Sequence, residues 1–135
     1  MPDGLVQIGE VAERLGLSLR TIRHYEEVGL VVPERTPGGF RLYSETDIGR
    51  LALVKRMKPL GFSLDEMRDL LEITDRLAVG DDDPSLVARL QMFERAVAVR
   101  ADKLRDQLAM AREFGEQLRR QRLGASRMTL LTPPP

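Results

Sequence analysis

The sequence predicts a mostly helical fold: four short helices and a small β-ribbon, then one long helix. Three observations predict it. Residues 18–43, SLRTIRHYEEVGLVVPERTPGGFRLY, read as a short helix, a Gly-Leu stop and a two-strand ribbon with Gly38 and Gly39 at its tip. The segment in front places Ile8, Val11, Ala12 and Leu15 at helical spacing and ends on Gly16. From Asp83-Pro84 onward no strong breaker occurs until Gly124, and apolar residues recur every three or four positions.

Taken in order, the first helix stops at Gly16, where the chain turns, and Ser18 is a good N-cap for a second helix running to about Val28. Helix, glycine-containing turn, helix is the helix-turn-helix pattern, whose second helix reads a major groove. That second helix carries Arg20, Arg23, His24 and Tyr25. On the returning strand of the ribbon, Arg41 and Tyr43 are two residues apart and so share a face. Two neighbouring elements that each present Arg and an aromatic hydroxyl suit phosphates and sugar edges. The ribbon then acts as a wing, and a winged helix-turn-helix points to double-stranded DNA.

Ser44-Glu45-Thr46-Asp47 is a capping-box pattern that opens a third helix with Ile48, Leu51, Val54 and Met57 as its buried stripe. Lys55, Arg56 and Lys58 lie near its end, and Pro59-Leu60-Gly61 breaks it. Ser63-Leu64-Asp65-Glu66 is a second capping box, opening a fourth helix whose core face is Leu64, Met67, Leu70, Leu71 and Ile73. Residues 5–76 are thus the predicted DNA-binding domain, 83–123 a long helix, and 124–135 a flexible tail.

Composition bounds the alternatives. Of 135 residues, 42% are hydrophobic and 31% charged, which fits neither a membrane protein nor a disordered chain. No window reaches about 18 uninterrupted apolar residues and no apolar signal stretch opens the chain, so a cytoplasmic protein without membrane partners is expected. The chain has no cysteine, which removes disulfides, thiolate metal sites and iron–sulfur clusters. With a single histidine and no phosphate loop or nucleophile–base constellation, no metal, no cofactor and no enzymatic activity are expected. Asp81-Asp82-Asp83 lacks further ligands at calcium-loop spacing and reads as a solvated loop with a helix N-cap.

The zero net charge divides unevenly. Residues 1–63 hold nine Lys/Arg against eight Asp/Glu, residues 64–84 two against eight, and residues 85–135 ten against five. The acidic load sits around Asp65–Asp83, so a dimer can keep it away from a polyanion while basic surfaces face it.

These blocks resemble the MerR family of bacterial transcription regulators. The matching residues are Ile8-Gly9-Glu10-Val11-Ala12, Thr21-Ile22-Arg23-His24-Tyr25-Glu26, Gly29-Leu30, Arg41-Leu42-Tyr43, Asp47-Ile48 and Gly61-Phe62-Ser63-Leu64-Asp65-Glu66, in family order and spacing over roughly residues 7–72. The resemblance implies DNA contacts from Ser18, Arg20, Thr21, Arg23, His24 and Tyr25, and from Gly39, Phe40, Arg41 and Tyr43 of the wing. His24 stands where the family more often has tyrosine. It also implies a second wing made by helices three and four, to which Lys55, Arg56 and Lys58 are carried over as backbone contacts. Activation in the family bends and untwists a promoter whose −35 and −10 elements are too far apart, with RNA polymerase as the partner there.

The long helix is the remaining feature. Leu86, Leu90, Phe93, Val97, Ala101, Leu104, Leu108, Ala111, Gly115 and Leu118 step by three and four, a heptad pattern with one stutter at Val97–Ala101. A helix of about 38 residues is ~57 Å long, too long to fold back on so small a domain. It needs a partner, and Leu90, Phe93, Val97, Leu104, Leu108, Ala111 and Leu118 are the candidate dimerisation residues. An antiparallel coiled coil in a homodimer is what the resemblance implies. The tail, with Met128, Leu130 and Leu131 ahead of three prolines, supports an alternative function, a winged-helix adaptor that binds a protein partner through its coiled coil and tail.

Overall fold

The structure, a computed structural model, describes residues 4–131. Its elements are β1 (Val6–Gln7), α1 (Ile8–Leu15), α2 (Leu19–Glu27), β2 (Glu34–Arg35), β3 (Arg41–Tyr43), α3 (Glu45–Met57) with a 3₁₀ turn at Lys58–Leu60, α4 (Leu64–Ala78) and α5 (Pro84–Leu131). The expected mostly helical winged helix-turn-helix is present. It divides into two units, one reaching Phe93 and the other starting at Glu94.

Local chemistry accounts for the helix limits. Gly16 ends α1 with φ +64°, and its amide donates to the Ala12 carbonyl, which turns the chain towards α2. Ser18 caps α2 by accepting from the Thr21 amide at 3.0 Å. Ser44–Asp47 and Ser63–Glu66 both close as reciprocal capping boxes at the starts of α3 and α4. Asp83 accepts from the Ser85 amide at 2.9 Å ahead of α5, with Pro84 at the first helical position.

The sheet has one strand more than the sequence pattern gave. β3 lies between β1 and β2, antiparallel to both, with Val6 opposite Tyr43 and Glu34 opposite Leu42. β1 is two residues long and merges into α1, so it carries no alternation of its own to read. The core of this first unit is built from Val11, Ile22, Tyr25, Leu30, Val31, Leu42, Tyr43, Leu51, Val54, Leu71 and Ile73, all buried.

Two boundaries move. Leu86 is fully buried, and Phe93 sets its ring 6.0 Å from that of Phe62, so the start of α5 belongs to the first unit and not to a separate coiled-coil segment beginning at 83. Phe93, assigned from the sequence to dimerisation, is at least partly an intrachain packing residue. The helix also continues through Gly124 to Leu131, where a flexible tail was expected. Glycine inside a helix costs about 1 kcal/mol relative to alanine and stops a helix only where it takes a left-handed conformation. Gly124 has no positive φ, and Ala125, Arg127 and Met128 are compatible with helix. Met128 is exposed. The side chains of residues 129–131 and all of residues 132–135, including the three prolines, lie outside the described residues.

Candidate nucleic-acid interface

One face of α2 is buried through Ile22 and Tyr25, which leaves Arg20, Arg23, His24 and Glu27 on the other. These four, with Thr21 and with Lys58 from the turn after α3, line one open cleft of about 490 Å³. Three guanidinium or ammonium groups and an imidazole thus share a concave surface with one carboxylate. Among the described residues, neither Arg20 nor Arg23 makes a salt bridge, so both remain available to an anionic ligand. The sequence grouped Arg20, Thr21, Arg23 and His24 on one helix, and the structure brings Lys58 to them from 34 residues further along the chain.

The wing is set by a tight turn. The Gly39 amide donates to the Thr36 carbonyl at 2.8 Å with Gly39 at φ +85°, a conformation that favours glycine, and Thr36 N donates to Phe40 O at 2.9 Å. Phe40 is 67% exposed at the tip. Arg41 is partly buried and hydrogen-bonds through Nε to Glu26 of α2. Arg35, which the sequence reading passed over, donates to the other Glu26 oxygen at 2.7 Å and to the Gly39 carbonyl at 3.2 Å. One carboxylate on the second helix therefore holds both arginines of the wing. Burial works to raise the Glu26 carboxyl, but the hydrogen bonds from Arg41 and Arg35 outweigh it and hold the group below its ordinary range.

Both tyrosines correct the sequence reading. Tyr25 is 2% exposed and Tyr43 fully buried, and the Tyr43 hydroxyl is itself buried without a hydrogen-bond partner. Burial raises both phenols above their usual range. Alternation along β3 correctly put Arg41 and Tyr43 two residues apart, but alternation does not say which face is the core. Tyr43 sits on β3 between two strands and beneath the helices, so its ring packs and its hydroxyl is not offered to a phosphate. Tyr25 packs in the core too, with Lys58 Nζ 6.0 Å from its ring centre.

Of the three cations carried over from the end of the third helix, Lys58 joins the cleft and Arg56 is exposed. Lys55 donates to the Leu15 carbonyl and so satisfies the C-terminal end of α1. Ser18 is engaged in capping, with its hydroxyl 2.8 Å from that of Thr21. Two further arginines hold the backbone at and just past the C-terminal end of α2. Arg50 of α3 donates to Leu30 O at 3.0 Å, and Arg68 of α4 donates to Val28 O at 2.7 Å. Neither contact has a sequence signal, because each joins residues 20 or 40 apart to a backbone carbonyl.

Of the candidate dimerisation residues, Val97, Leu104, Leu108 and Leu118 are exposed in the single chain, and Ala111 likewise. Leu90 is half-buried in the first unit. No described helix is long and apolar enough to cross a membrane.

A wing tied to a reading helix with a basic outer face defines a winged helix-turn-helix of the DNA-binding class. Comparison with known proteins narrows the class. The model of the MerR HTH family regulatory protein matches residues 6–73, and that of the MerR DNA-binding region matches residues 48–130. The chain belongs to the MerR family of transcription regulators. It is 48% identical over 71 residues to the mercuric resistance operon regulatory protein of Bacillus cereus, covering 52% of this chain and 54% of that one. It is 39% identical over 89 residues to the transcriptional regulator HmrR of Rhizobium leguminosarum bv. viciae, covering 66% and 69%. The chain thus spans about half the length of the first of these relatives. Among solved structures it resembles HiNmlR, a MerR family regulator lacking the sensor domain and bound to promoter DNA, with 26% identity and a TM-score of 0.61 over 83% of this chain and 79% of that one.

Proposed function

We propose that this protein is a sequence-specific transcription regulator that acts in the cytoplasm as a homodimer on a pseudo-palindromic promoter site. The observation that carries this reading is the cleft in which Arg20, Thr21, Arg23 and His24 of α2 meet Lys58. A reading helix inserts its exposed face into a major groove, where arginine pairs with guanine edges and neighbouring cations take phosphates. Phe40, Gly39 and Arg41 of the wing, with Arg56, serve the flanking backbone. The exposed stripe of Val97, Leu104, Leu108, Ala111 and Leu118 is the surface that joins two copies. Family membership supports promoter distortion as the mode of action, with RNA polymerase as the partner at the promoter, and supports no enzymatic role.

The test is selection of bound duplexes from a random-sequence DNA pool, followed by a mobility shift across a salt series. A pseudo-palindromic consensus and an affinity that falls steeply with salt are expected. Recovery of no enriched sequence, with salt-insensitive binding to a protein partner through α5, would favour the adaptor reading instead.

A further inference from the structure

We infer that Glu26 is a positioning residue of the DNA interface: by holding Arg35 and Arg41 together it locks the wing to the reading helix. The inference rests on the DNA-binding reading above but concerns a residue that this reading does not itself require. A carboxylate on a DNA-facing helix is electrostatically unfavourable near phosphate, so its presence calls for a compensating role. Its position supplies one. Glu26 is four residues after buried Ile22 and three after outward-facing Arg23, which sets it on the border between the packed and the open face of α2. Its side chain is only 17% exposed, against 47% for Arg35 and 25% for Arg41.

Each Glu26 oxygen takes a different guanidinium, Oε1 from Arg35 and Oε2 from Arg41. Arg35 extends the bridge to the Gly39 carbonyl at the wing tip. β1 and the buried Leu42 and Tyr43 anchor β3, but β2 pairs with it over only two residues, so strand pairing alone does little to fix the angle of the wing tip. The charge-assisted pairs across α2, β2 and β3 supply that constraint, and the cluster keeps a surplus positive charge with Arg35 partly open to solvent. A wing held at one angle presents its cations to the backbone while α2 is in the groove. A loose wing loses that entropy on binding.

The experiment uses Glu26→Gln in the full-length protein, with two readouts. The first is affinity for the selected duplex. Glu26→Gln removes a negative charge from the DNA-facing side, so a purely electrostatic role predicts tighter binding. The positioning role predicts binding weaker by about tenfold, equivalent to ~1.4 kcal/mol. In an Arg35→Ala, Arg41→Ala background the same change should no longer weaken binding, because the bridge is already gone. The second readout is amide hydrogen exchange of the free protein. Thr36, Gly39 and Phe40 amides, bonded within the wing, should exchange faster in Glu26→Gln while α4 amides are unchanged, which also shows that the variant is folded. Equal or tighter DNA binding by Glu26→Gln, or wing exchange identical to wild type, overturns the inference. The exchange measurement needs no DNA, so it decides the wing lock even where wild-type protein fails to bind duplex and the regulator reading itself falls.

Discussion

Up to Phe93 the chain satisfies itself; from Glu94 it does not. In the first unit the large apolar side chains of α1 to α4 meet one another, and arginines are spent on carbonyls and carboxylates of neighbouring elements, as Arg14 is on Glu45, Arg50 on Leu30 and Arg68 on Val28. In the second unit Val97, Val99, Leu104, Leu108, Met110, Phe114, Leu118 and Leu123 are all exposed, and the pairs of Arg105 with Asp102 and Arg119 with Glu116 each span a single turn. Both stretches are helical, yet only one has a core. The first unit has a buried core of its own, whereas the helix beyond it presents an exposed apolar stripe, which is costly to leave in water.

The largest expected effect tests that contrast directly. Leu104→Asp combined with Leu108→Asp should convert the proposed dimer to monomer in sedimentation and abolish tight operator binding, while the circular dichroism melt of the first unit survives. Loss of that melt would mean that the two units are not independent. Next comes Arg23→Ala, which should cost about 1–3 kcal/mol of DNA affinity and relax sequence preference if Arg23 makes a bidentate base contact. It should leave the sedimentation coefficient untouched. Smaller again, Ser63→Ala opens the capping box of α4 and should lower folding stability by ~1 kcal/mol in urea titration, with oligomeric state unchanged.

The smallest effect is with acid, and it too falls on the first unit. Glu26 is held low by Arg41 and Arg35 against its burial, Asp81 by the Asp83 amide and Arg76, and Asp83 by the Ser85 amide and hydroxyl and Arg76. A carboxylate with a lowered folded pKa contributes stability that is complete above its ordinary range and is lost as pH falls through the folded value. Below about pH 4.5 the unfolded chain binds more protons, so melting temperature should decline there and stay flat from about pH 6 to 8. Glu26→Gln should flatten part of that decline; a profile identical to wild type would remove Glu26 from it.

Most of the architecture was legible because it is written in local signals. Ser18, Ser44, Ser63 and Asp83 announce four helix starts, and each caps as its sequence pattern requires. Arg20, Arg23 and His24 were named together with Tyr25, and only the structure separates the buried Tyr25 from the three that line the cleft. What escaped the sequence was non-local or turned on a choice of face. Tyr43 could be placed on a strand face but not on the buried one, and Gly124 resembles a stop only until its backbone angle is known. Glu26 with Arg35 and Arg41, and Arg68 with Val28, join positions 9, 15 and 40 apart, where no periodicity reports a contact.

The side-chain bonds that fasten α2 to the rest of the molecule are unevenly placed. The wing grips Glu26, Arg68 grips the Val28 cap and Arg50 grips Leu30 just beyond it, so guanidinium charge gathers at the negative pole of the helix. The amino end carries its Ser18 cap and the packing of buried Ile22. In mechanical terms the helix is a beam about 13 Å long, bedded along its buried side and braced most heavily at its root. Side chains on α3 and α4 therefore brace the end of the helix opposite its Ser18 cap.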